Sequence, residues 1–297
     1  MTKQIEAGAL CVAYDEIGDA AGWPVVLLHG FPYDVHAFEA VAPLLERQGA
    51  RVIVPYLRGY GATRFLSAGT PRSGEQAALG QDLLALLDAL GIESAVLGGF
   101  DWGGRAACVV AALWPGRCRG LVTANGYNIQ NIAKAMEPSP PEREYEHWYQ
   151  YYFHSERGCA GLTQNRHALC RLLWRLWSPE WDVDEATFDR TAAAFENPDF
   201  VEVVIHSYRH RYGLVPGDPA VSSIEKMLAD QPQIRVPAIS FDGGADGVSP
   251  AQDEEFHARH FGGPFTHRVL AGIGHNIPQE APGDFADAVL DLQRAGK

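Results

Sequence analysis

Two carboxylates and one imidazole follow predicted strands in an order that suits nucleophilic catalysis. Asp101 stands at the centre of Gly99-Phe-Asp-Trp-Gly103, where small residues on both sides permit a sharp turn from a strand into a helix. Asp246 and His275 follow two later strands. Because the carboxyl ends of parallel strands meet at one edge of a sheet, we expect the three side chains to converge. An aspartate N-cap at a simple turn would explain Asp101 by itself, but not the whole set.

An aspartate in the nucleophile position favours substitution at saturated carbon. The Asp101 carboxylate can displace a leaving group from such a carbon and form an alkyl ester, which a water activated by His275 would cleave at the Asp101 carbonyl. Asp246 would orient the imidazole. A serine would form a stable ether in the first step, and the chain contains no Gly-x-Ser-x-Gly. The sequence therefore disfavours serine-esterase chemistry.

Alternating strand and helix patterns predict an α/β core that positions these residues. Predicted strands lie at residues 24–29, 51–55, 94–98, 119–124, 236–242 and 267–270, and predicted helices at 37–48, 76–90, 103–114 and 281–295. The strands are apolar on both faces, which is typical of a parallel sheet covered by helices on each side.

The stretch 126–217 interrupts this alternation. It lacks a convincing buried strand, its helical patterns are separated by prolines, and it is rich in Trp and Tyr. Such aromatic side chains serve more often in a core than in a binding site, yet their number favours a lid over an apolar pocket. We therefore expect a core domain of residues 1–125 and 218–297 and a helical cap of residues 126–217.

Charge and composition argue against several classes of partner. The 297 residues include 24 Lys and Arg against 37 Asp and Glu, a formal net charge of −13, which repels nucleic acid and anionic lipid. No uncharged apolar stretch approaches the roughly 18 residues needed to span a bilayer, and the N-terminus lacks a signal-peptide pattern. We expect a cytoplasmic protein that binds neither nucleic acid nor membrane, and the sequence leaves a homodimer open.

The cysteines and histidines do not form a recognisable metal or disulfide pattern. Five cysteines are scattered without a Cys-x-x-Cys, which fits reduced thiols. His206 and His210 have helical spacing, but Arg209 and Arg211 adjoin them and no third ligand has suitable spacing. The sequence therefore predicts neither a metal nor a cofactor.

Five motifs together resemble the α/β-hydrolase superfamily over nearly the whole chain: His29-Gly-Phe-Pro32, Arg58-Gly-Tyr-Gly61, the turn at Asp101, Gly244 to Pro250, and Gly274-His275. Gly-Phe-Asp-Trp-Gly-Gly is similar to the aspartate-nucleophile branch, which contains epoxide hydrolases and the haloalkane and haloacid dehalogenases. The resemblance implies an α/β-hydrolase fold with a mostly parallel central sheet, helices on both faces and a helical cap. One departure is Tyr56, where the family's Asp-x-Arg-Gly motif usually has aspartate.

The resemblance also implies roles around Asp101. The backbone N–H groups of Phe31 and Trp102 match the family's oxyanion hole, which would stabilise the charge formed during ester hydrolysis. The remaining expected members of the substrate pocket are His29, Pro32, Arg105, Trp148 and Tyr152.

Two cap tyrosines favour epoxide opening over the other reactions of the branch. Glu146 to Phe153 and Ile205 to His210 are similar to the two motifs that supply proton donors in epoxide hydrolases, which makes Tyr149 and Tyr208 the candidate acids. We therefore expect an epoxide hydrolase that takes a small apolar epoxide and water and releases a vicinal diol.

Two alternatives remain open at this point. A haloalkane or haloacid dehalogenase could use the Trp102 indole as a halide donor, although no second halide donor is evident. A non-catalytic ligand receptor on the same fold would normally have lost a triad member, and this chain keeps all three.

Overall fold

A nine-stranded sheet forms the centre of the protein in a computed structural model that describes residues 2–295. The strands are β1 (Lys3–Ala7), β2 (Leu10–Ile17), β3 (Trp23–Leu28), β4 (Ala50–Pro55), β5 (Arg64–Phe65), β6 (Ala95–Gly99), β7 (Cys118–Ala124), β8 (Ala238–Gly243) and β9 (Phe265–Leu270). Their spatial order is β1-β2-β4-β3-β6-β7-β8-β9, with β5 paired to β2. The six strands from β4 to β9 along this order are parallel, and β1, β2 and β5 pair antiparallel. The mostly parallel sheet predicted from the sequence is confirmed.

Helices cover both faces of the sheet. They are α1 (Val41–Glu46), α2 (Gln76–Ala89), α3 (Asp101–Leu113), α4 (Pro141–Glu146), α5 (Trp148–His154), α6 (Glu156–Trp177), α7 (Glu185–Ala192), α8 (Phe200–His210), α9 (Ser222–Ala229), α10 (Glu254–Ala258), α11 (Ile277–Glu280) and α12 (Pro282–Ala295). The pair α2 and α3 and the pair α1 and α12 pack against each other and against the sheet. The central strand β6 is buried along its whole length, as a strand covered on both faces must be.

The N-terminal hairpin and one helix differ from the sequence prediction. Strands β1 and β2 were not expected from the sequence, because their short patterns become a hairpin only through pairing with β4 and with each other. The predicted helix 37–48 is divided into a 3₁₀ turn at Val35–Phe38 and α1. Pro43 suits the first turn of a separate helix, where its missing N–H would have no partner in any case.

The segment between β7 and β8 is helical. Among the described residues, 126–217 contains no strand, and it supplies α4 to α8, of which α6 is kinked at Asn165. These helices pack among themselves through α5, α6 and α8, whereas the following α9 packs on α2 of the core. We therefore retain as a proposal the division into a core and a cap that spans 126–217.

The turn from β6 into α3 is unusually close to the neighbouring strand β3. A Cβ atom at Gly103 would overlap the carbonyl groups of Leu28 and His29, and one at Gly30 would overlap the Asp101 side chain. Only glycine at these two positions lets α3 begin directly against the end of β3. The spacing of glycines around Asp101 thus sets how near the strand ends lie to one another.

Residues 2–295 contain neither a disulfide nor a helix that could span a membrane. All five cysteines are free thiols. Within the range 2–295, no helix is long and apolar enough to cross a membrane.

Replacing Gly103 with alanine should destabilise the fold. The new methyl group meets backbone carbonyl atoms, which cannot rotate away, so we expect the free energy of unfolding to fall by about 2 kcal/mol or more. Urea denaturation followed by circular dichroism measures this change. Gly116→Ala is the matched control, because nothing lies within 4 Å of its added Cβ; its effect should stay within about 0.5 kcal/mol. Equal stability of the two variants would contradict the close approach described above.

Candidate active site

Asp101, Asp246 and His275 converge at the carboxyl edge of the sheet. The His275 Nδ1–H donates to Asp246 Oδ2 at 2.8 Å, and His275 Nε2 lies 3.9 Å from Asp101 Oδ2. Asp246 Oδ1 accepts the backbone N–H groups of Val248 and Ser249, each at 2.8 Å. The carboxylate is thereby fixed behind the imidazole, while Nε2 faces Asp101.

Asp101 occupies a left-handed backbone conformation at the first residue of α3. Its φ is 49°, a region that costs a non-glycine residue energy unless the surroundings impose it. The carboxylate oxygen Oδ1 accepts the Phe31 N–H at 2.7 Å. The N–H of Trp102 lies in the first turn of α3, where an N–H has no partner within the helix. Of the two N–H groups expected in the oxyanion hole, that of Phe31 therefore contacts the Asp101 carboxyl, and that of Trp102 follows it directly in the chain.

The loop that carries His275 is held by a network that begins on α6. The His275 backbone N–H donates to Ser178 Oγ at 3.0 Å, and the Ser178 hydroxyl donates to Glu280 at 2.7 Å. Glu280 also accepts the backbone N–H groups of Gly274 and Asn276. Burial raises the pKa of Glu280 in spite of these donors. This network, which sequence reasoning missed, fixes the position of the imidazole.

His275 and Asp101 shift each other's pKa in opposite directions. Burial by itself disfavours both charged forms. In His275 the negative charges of Asp246 and Asp101 outweigh burial and raise the pKa to about 10. In Asp101 the positive His275, together with Arg105 and the Phe31 N–H, outweighs burial and lowers the pKa. At neutral pH the free site therefore holds an imidazolium beside a carboxylate.

Tyr149 and Tyr208 lie next to each other in the segment 126–217, and of the two only Tyr149 lines the cavity that contains Asp101 among the described residues. Their ring centroids are 5.4 Å apart, and both side chains are buried. The Tyr149 oxygen accepts the Gln150 amide at 3.1 Å, whereas the Tyr208 hydroxyl has no hydrogen-bond partner among residues 2–295. Burial raises the pKa of both phenols, so both keep their protons at neutral pH. The pair can donate a proton but cannot easily act as a base.

A cavity of about 360 Å³ opens over Asp101 and His275. Its walls are mostly polar, and Ala135 and Val248 are its only aliphatic members among the described residues. The other lining residues include Arg105, Asn125, Asn128, Gln130, Asn131, Lys134, His147, Tyr149, Gln150, Arg211 and Tyr212. The expectation of an apolar pocket is therefore wrong, because most cap aromatics pack on one another and on the core.

His29 and Pro32 do not line this cavity, in contrast to the sequence prediction. The buried His29 ring donates from Nδ1 to the Gly30 carbonyl, and its Nε2 accepts the Leu57 N–H, both at 3.1 Å. Burial lowers the pKa of His29 to about 4, so the ring stays neutral in this role. The Pro32 carbonyl accepts the Trp174 indole N–H at 2.8 Å. Both residues hold the Phe31 loop in place instead of contacting the cavity.

Trp148 and Tyr152 lie on the other face of α5, and their expected place in the pocket is likewise corrected. Trp148 lines a separate surface depression with Leu176 and Trp177. The Tyr152 hydroxyl packs against Gly161 of α6. Because α5 is a helix, residues 148 and 152 share one face while Tyr149 is directed to the core.

Asn125 also belongs to the site. Its amide donates to Asp246 Oδ2 at 3.1 Å from a left-handed position just after β7, with φ 60°. The signal in the sequence was its place directly after β7, at the edge of the sheet where Asp246 and His275 also lie. A neutral amide there supplements Asp246 and does not replace it.

One cluster could hold a metal ion outside the cavity. His257 Nε2 and His267 Nε2 lie 2.9 and 3.2 Å from Asp242 Oδ2, and the donor atoms of the three residues lie within 4.8 Å of one another. The Gln252 N–H also donates to Asp242 at 2.8 Å. His206 and His210, by contrast, bond to backbone groups and to Glu75. The cluster comes from three separate elements, so no sequence spacing could indicate it.

The chain is similar in sequence and in fold to known proteins of one family. Residues 24–179 match the model of the alpha/beta hydrolase fold family. A Klebsiella pneumoniae protein, whose crystal structure carries the provisional name epoxide hydrolase, is 46% identical; the superposition has a TM-score of 0.96 and covers 99% of this chain and 97% of that one. Epoxide hydrolase A of Mycobacterium tuberculosis is 26% identical, with 93% of this chain and 92% of the relative covered.

Epoxide hydrolase B of the same organism gives a shorter match. It is 38% identical over 109 residues, which are 36% of this chain and 30% of that protein. The chain therefore spans about a third of the length of this curated relative.

Asp246→Asn should lower the pKa of His275. Because the negative charge of Asp246 is a principal reason for the raised value of about 10, its removal should bring the midpoint down by about 1–3 units. NMR titration of ¹⁵N-labelled histidines follows the His275 imidazole directly. Asp253→Asn, which changes an N-cap of α10 with no contact to His275, should leave the midpoint where it is. An unchanged midpoint in Asp246→Asn would show that another group sets this pKa.

Proposed function

The chain belongs to the α/β-hydrolase fold family, and we propose that within this family it is an epoxide hydrolase that works through an ester on Asp101. The observation that carries the proposal is the buried tyrosine pair next to the nucleophile: Tyr149 lines the cavity over Asp101, and Tyr208 packs against Tyr149 behind that lining. The names of the similar proteins support the same substrate class. The overall reaction adds water to an epoxide and gives a vicinal diol.

The first step forms the ester. An oxygen of the Asp101 carboxylate attacks an epoxide carbon, and the carbon–oxygen bond of the ring breaks. The ring oxygen becomes an alkoxide and takes a proton from Tyr149 or Tyr208, both protonated at neutral pH. The lowered pKa of Asp101 keeps the nucleophile ionised over the whole neutral range.

The second step needs a neutral imidazole. Ester formation removes the charge of Asp101, which is one cause of the high pKa of His275. His275 then passes its proton to the tyrosinate and can accept one from water, whose oxygen adds to the Asp101 carbonyl carbon. The tetrahedral oxyanion is stabilised by the N–H groups of Phe31 and Trp102. Its collapse breaks the ester bond, the leaving diol oxygen takes the second proton of the added water, and the carboxylate and imidazolium are restored.

Halide displacement is a second candidate reaction. The Trp102 indole N–H is buried and has no hydrogen-bond partner among residues 2–295. A donor that binds halide would be in this state before the substrate arrives. Tyr208, whose ring centroid lies 6.0 Å from that of Trp102, carries the other unpartnered donor nearby. A halide needs no proton when it leaves, so the tyrosines distinguish the two reactions.

His275→Ala should trap the ester. This variant can still form the alkyl–Asp101 bond but lacks the base for hydrolysis, so the protein mass should rise by the mass of the bound epoxide and stay there. Intact-protein mass spectrometry after mixing with styrene oxide or another terminal epoxide measures the adduct. The double variant with Asp101→Asn is the control and should give no adduct. A persistent adduct at any residue other than Asp101 would remove this aspartate from its proposed role.

Removing both phenol groups should slow epoxide opening more than halide displacement. In Tyr149→Phe/Tyr208→Phe the alkoxide has no acid, so the single-turnover rate of ester formation with an epoxide should fall by about a hundredfold or more. The rate with a chloroalkane should change much less. Tyr152→Phe is the matched control, since the Tyr152 hydroxyl packs against Gly161 of α6 and not against Tyr149 or Asp101. Wild-type protein that releases halide but opens no epoxide would favour the dehalogenase instead.

A further inference from the structure

Two buried arginines face the cavity over Asp101 without a carboxylate partner. Arg105 and Arg211 both line the cavity, and each side chain is almost entirely removed from solvent. Neither forms an ion pair with any carboxylate in the described part of the chain, although most other arginines do. A buried cation is expensive unless an opposite charge compensates it.

Arg105 lies on α3, one helical turn after Asp101. Its side chain lines the same cavity as the nucleophile. Its Nε donates to the Asn128 carbonyl at 3.3 Å, while the buried Nη1 has no acceptor among the described residues. The Nε–H of this guanidinium is thus bonded within the protein, and the buried Nη1 group is available to bond a ligand.

Arg211 approaches from the cap, just after the end of α8. Its guanidinium carbon lies 4.1 Å from the centroid of the Tyr208 ring, and its Nε and Nη2 are bonded to the carbonyl and hydroxyl oxygens of Ser207 at 3.4 and 3.2 Å. These contacts fix the plane of the guanidinium beside the proposed proton donor. The charge of Arg211 also lowers the pKa of Arg105, which burial and this neighbour bring to about 10. The two cations are therefore close enough to repel each other.

The remaining groups of the cavity do not compensate this charge. His147 is neutral, because burial and the cations of Arg143 and Arg211 lower its pKa to about 4. Lys134 and Glu137 are exposed at the rim and have opposite signs. Among the described residues that line the cavity, the carboxylates are Asp101 and the rim residue Glu137, against the cationic side chains of His275, Arg105, Arg211 and Lys134. A carboxylate ligand would offset this excess of cations.

We propose that the substrate is an epoxide bearing a carboxylate close to the ring, and that Arg105 and Arg211 bind this carboxylate from opposite sides. This inference rests on the proposed function, since it assigns the substrate class of the same site. A guanidinium offers paired N–H donors that match the two oxygens of a carboxylate. With the carboxylate between Arg105 on α3 and Arg211 just after α8, the ring would lie between Asp101 and Tyr149, which also line the cavity. The arginines would thus select the substrate and orient the carbon that is attacked.

The test compares 2,3-epoxypropanoate with its uncharged amide, which has nearly the same shape. Wild-type protein should show a kcat/KM for the acid that exceeds that for the amide by about a hundredfold, on the scale of a buried charge pair. Arg211→Gln and Arg105→Gln should each remove most of this preference. Each should lower kcat/KM for the acid, mainly because KM for the acid rises. Arg211→Lys, which keeps the charge, should restore part of it.

A matched control and a binding measurement complete the test. Arg209→Gln removes a cation two residues away that is bonded to Glu156 and to the Phe153 carbonyl outside the cavity, and should leave the preference unchanged. Propanoate has no epoxide, yet it should inhibit competitively and raise the melting temperature of the wild type, whereas propanamide and inorganic phosphate should do neither.

The outcomes separate the substrate class from the reaction. If the amide is opened as well as the acid and propanoate does not bind, the carboxylate site is wrong while the epoxide hydrolase stands. If propanoate binds through both arginines but neither epoxide forms an ester with Asp101, the proposed reaction fails and the anion site remains. A preference that survives both Arg→Gln substitutions would also overturn the assignment of the site.

Discussion

The left-handed backbone at Asp101 is the constraint on which the rest of the site depends. A φ of 49° at a non-glycine residue holds only because β6, α3 and the end of β3 are packed without intervening side chains. This conformation directs the carboxylate away from its own helix and towards the Phe31 N–H. The imidazole, the Phe31 N–H and the cavity all lie around that carboxylate.

The sequence was sufficient for the parallel core because its signals are local. Apolar runs that end in glycine predict buried strands whatever their partners are, and the glycines around Asp101 predict the sharp turn. The hairpin of β1 and β2 lacked such a signal, since its antiparallel register is decided by contact with β4. The division of the helix predicted at 37–48 likewise depends on one proline that a periodicity count does not weigh.

The site was predictable to the extent that its residues follow strands. Asp101, Asp246 and His275 lie together as expected. For the residues of 126–217, by contrast, a prediction needs to know which face of each helix is turned to the cavity. Aromatics occupy both faces of α5, so the sequence could not distinguish the cavity face of Tyr149 from the outer face of Trp148. Arg211 stands in the polar stretch Arg209-His-Arg211, which is typical of a solvated surface, and only the packing of α8 buries it.

The hydrogen bond from the Trp174 indole to the Pro32 carbonyl joins the helical segment 126–217 to the loop proposed to form the oxyanion hole. Trp174 also stacks on Tyr33, with ring centroids 4.9 Å apart, so the two segments share one packed surface. The segment 126–217 is consequently coupled to the loop that carries the Phe31 N–H. A substitution at position 174 that removed the indole N–H would leave the Pro32 carbonyl without its donor, and the effect would reach the loop beside Asp101.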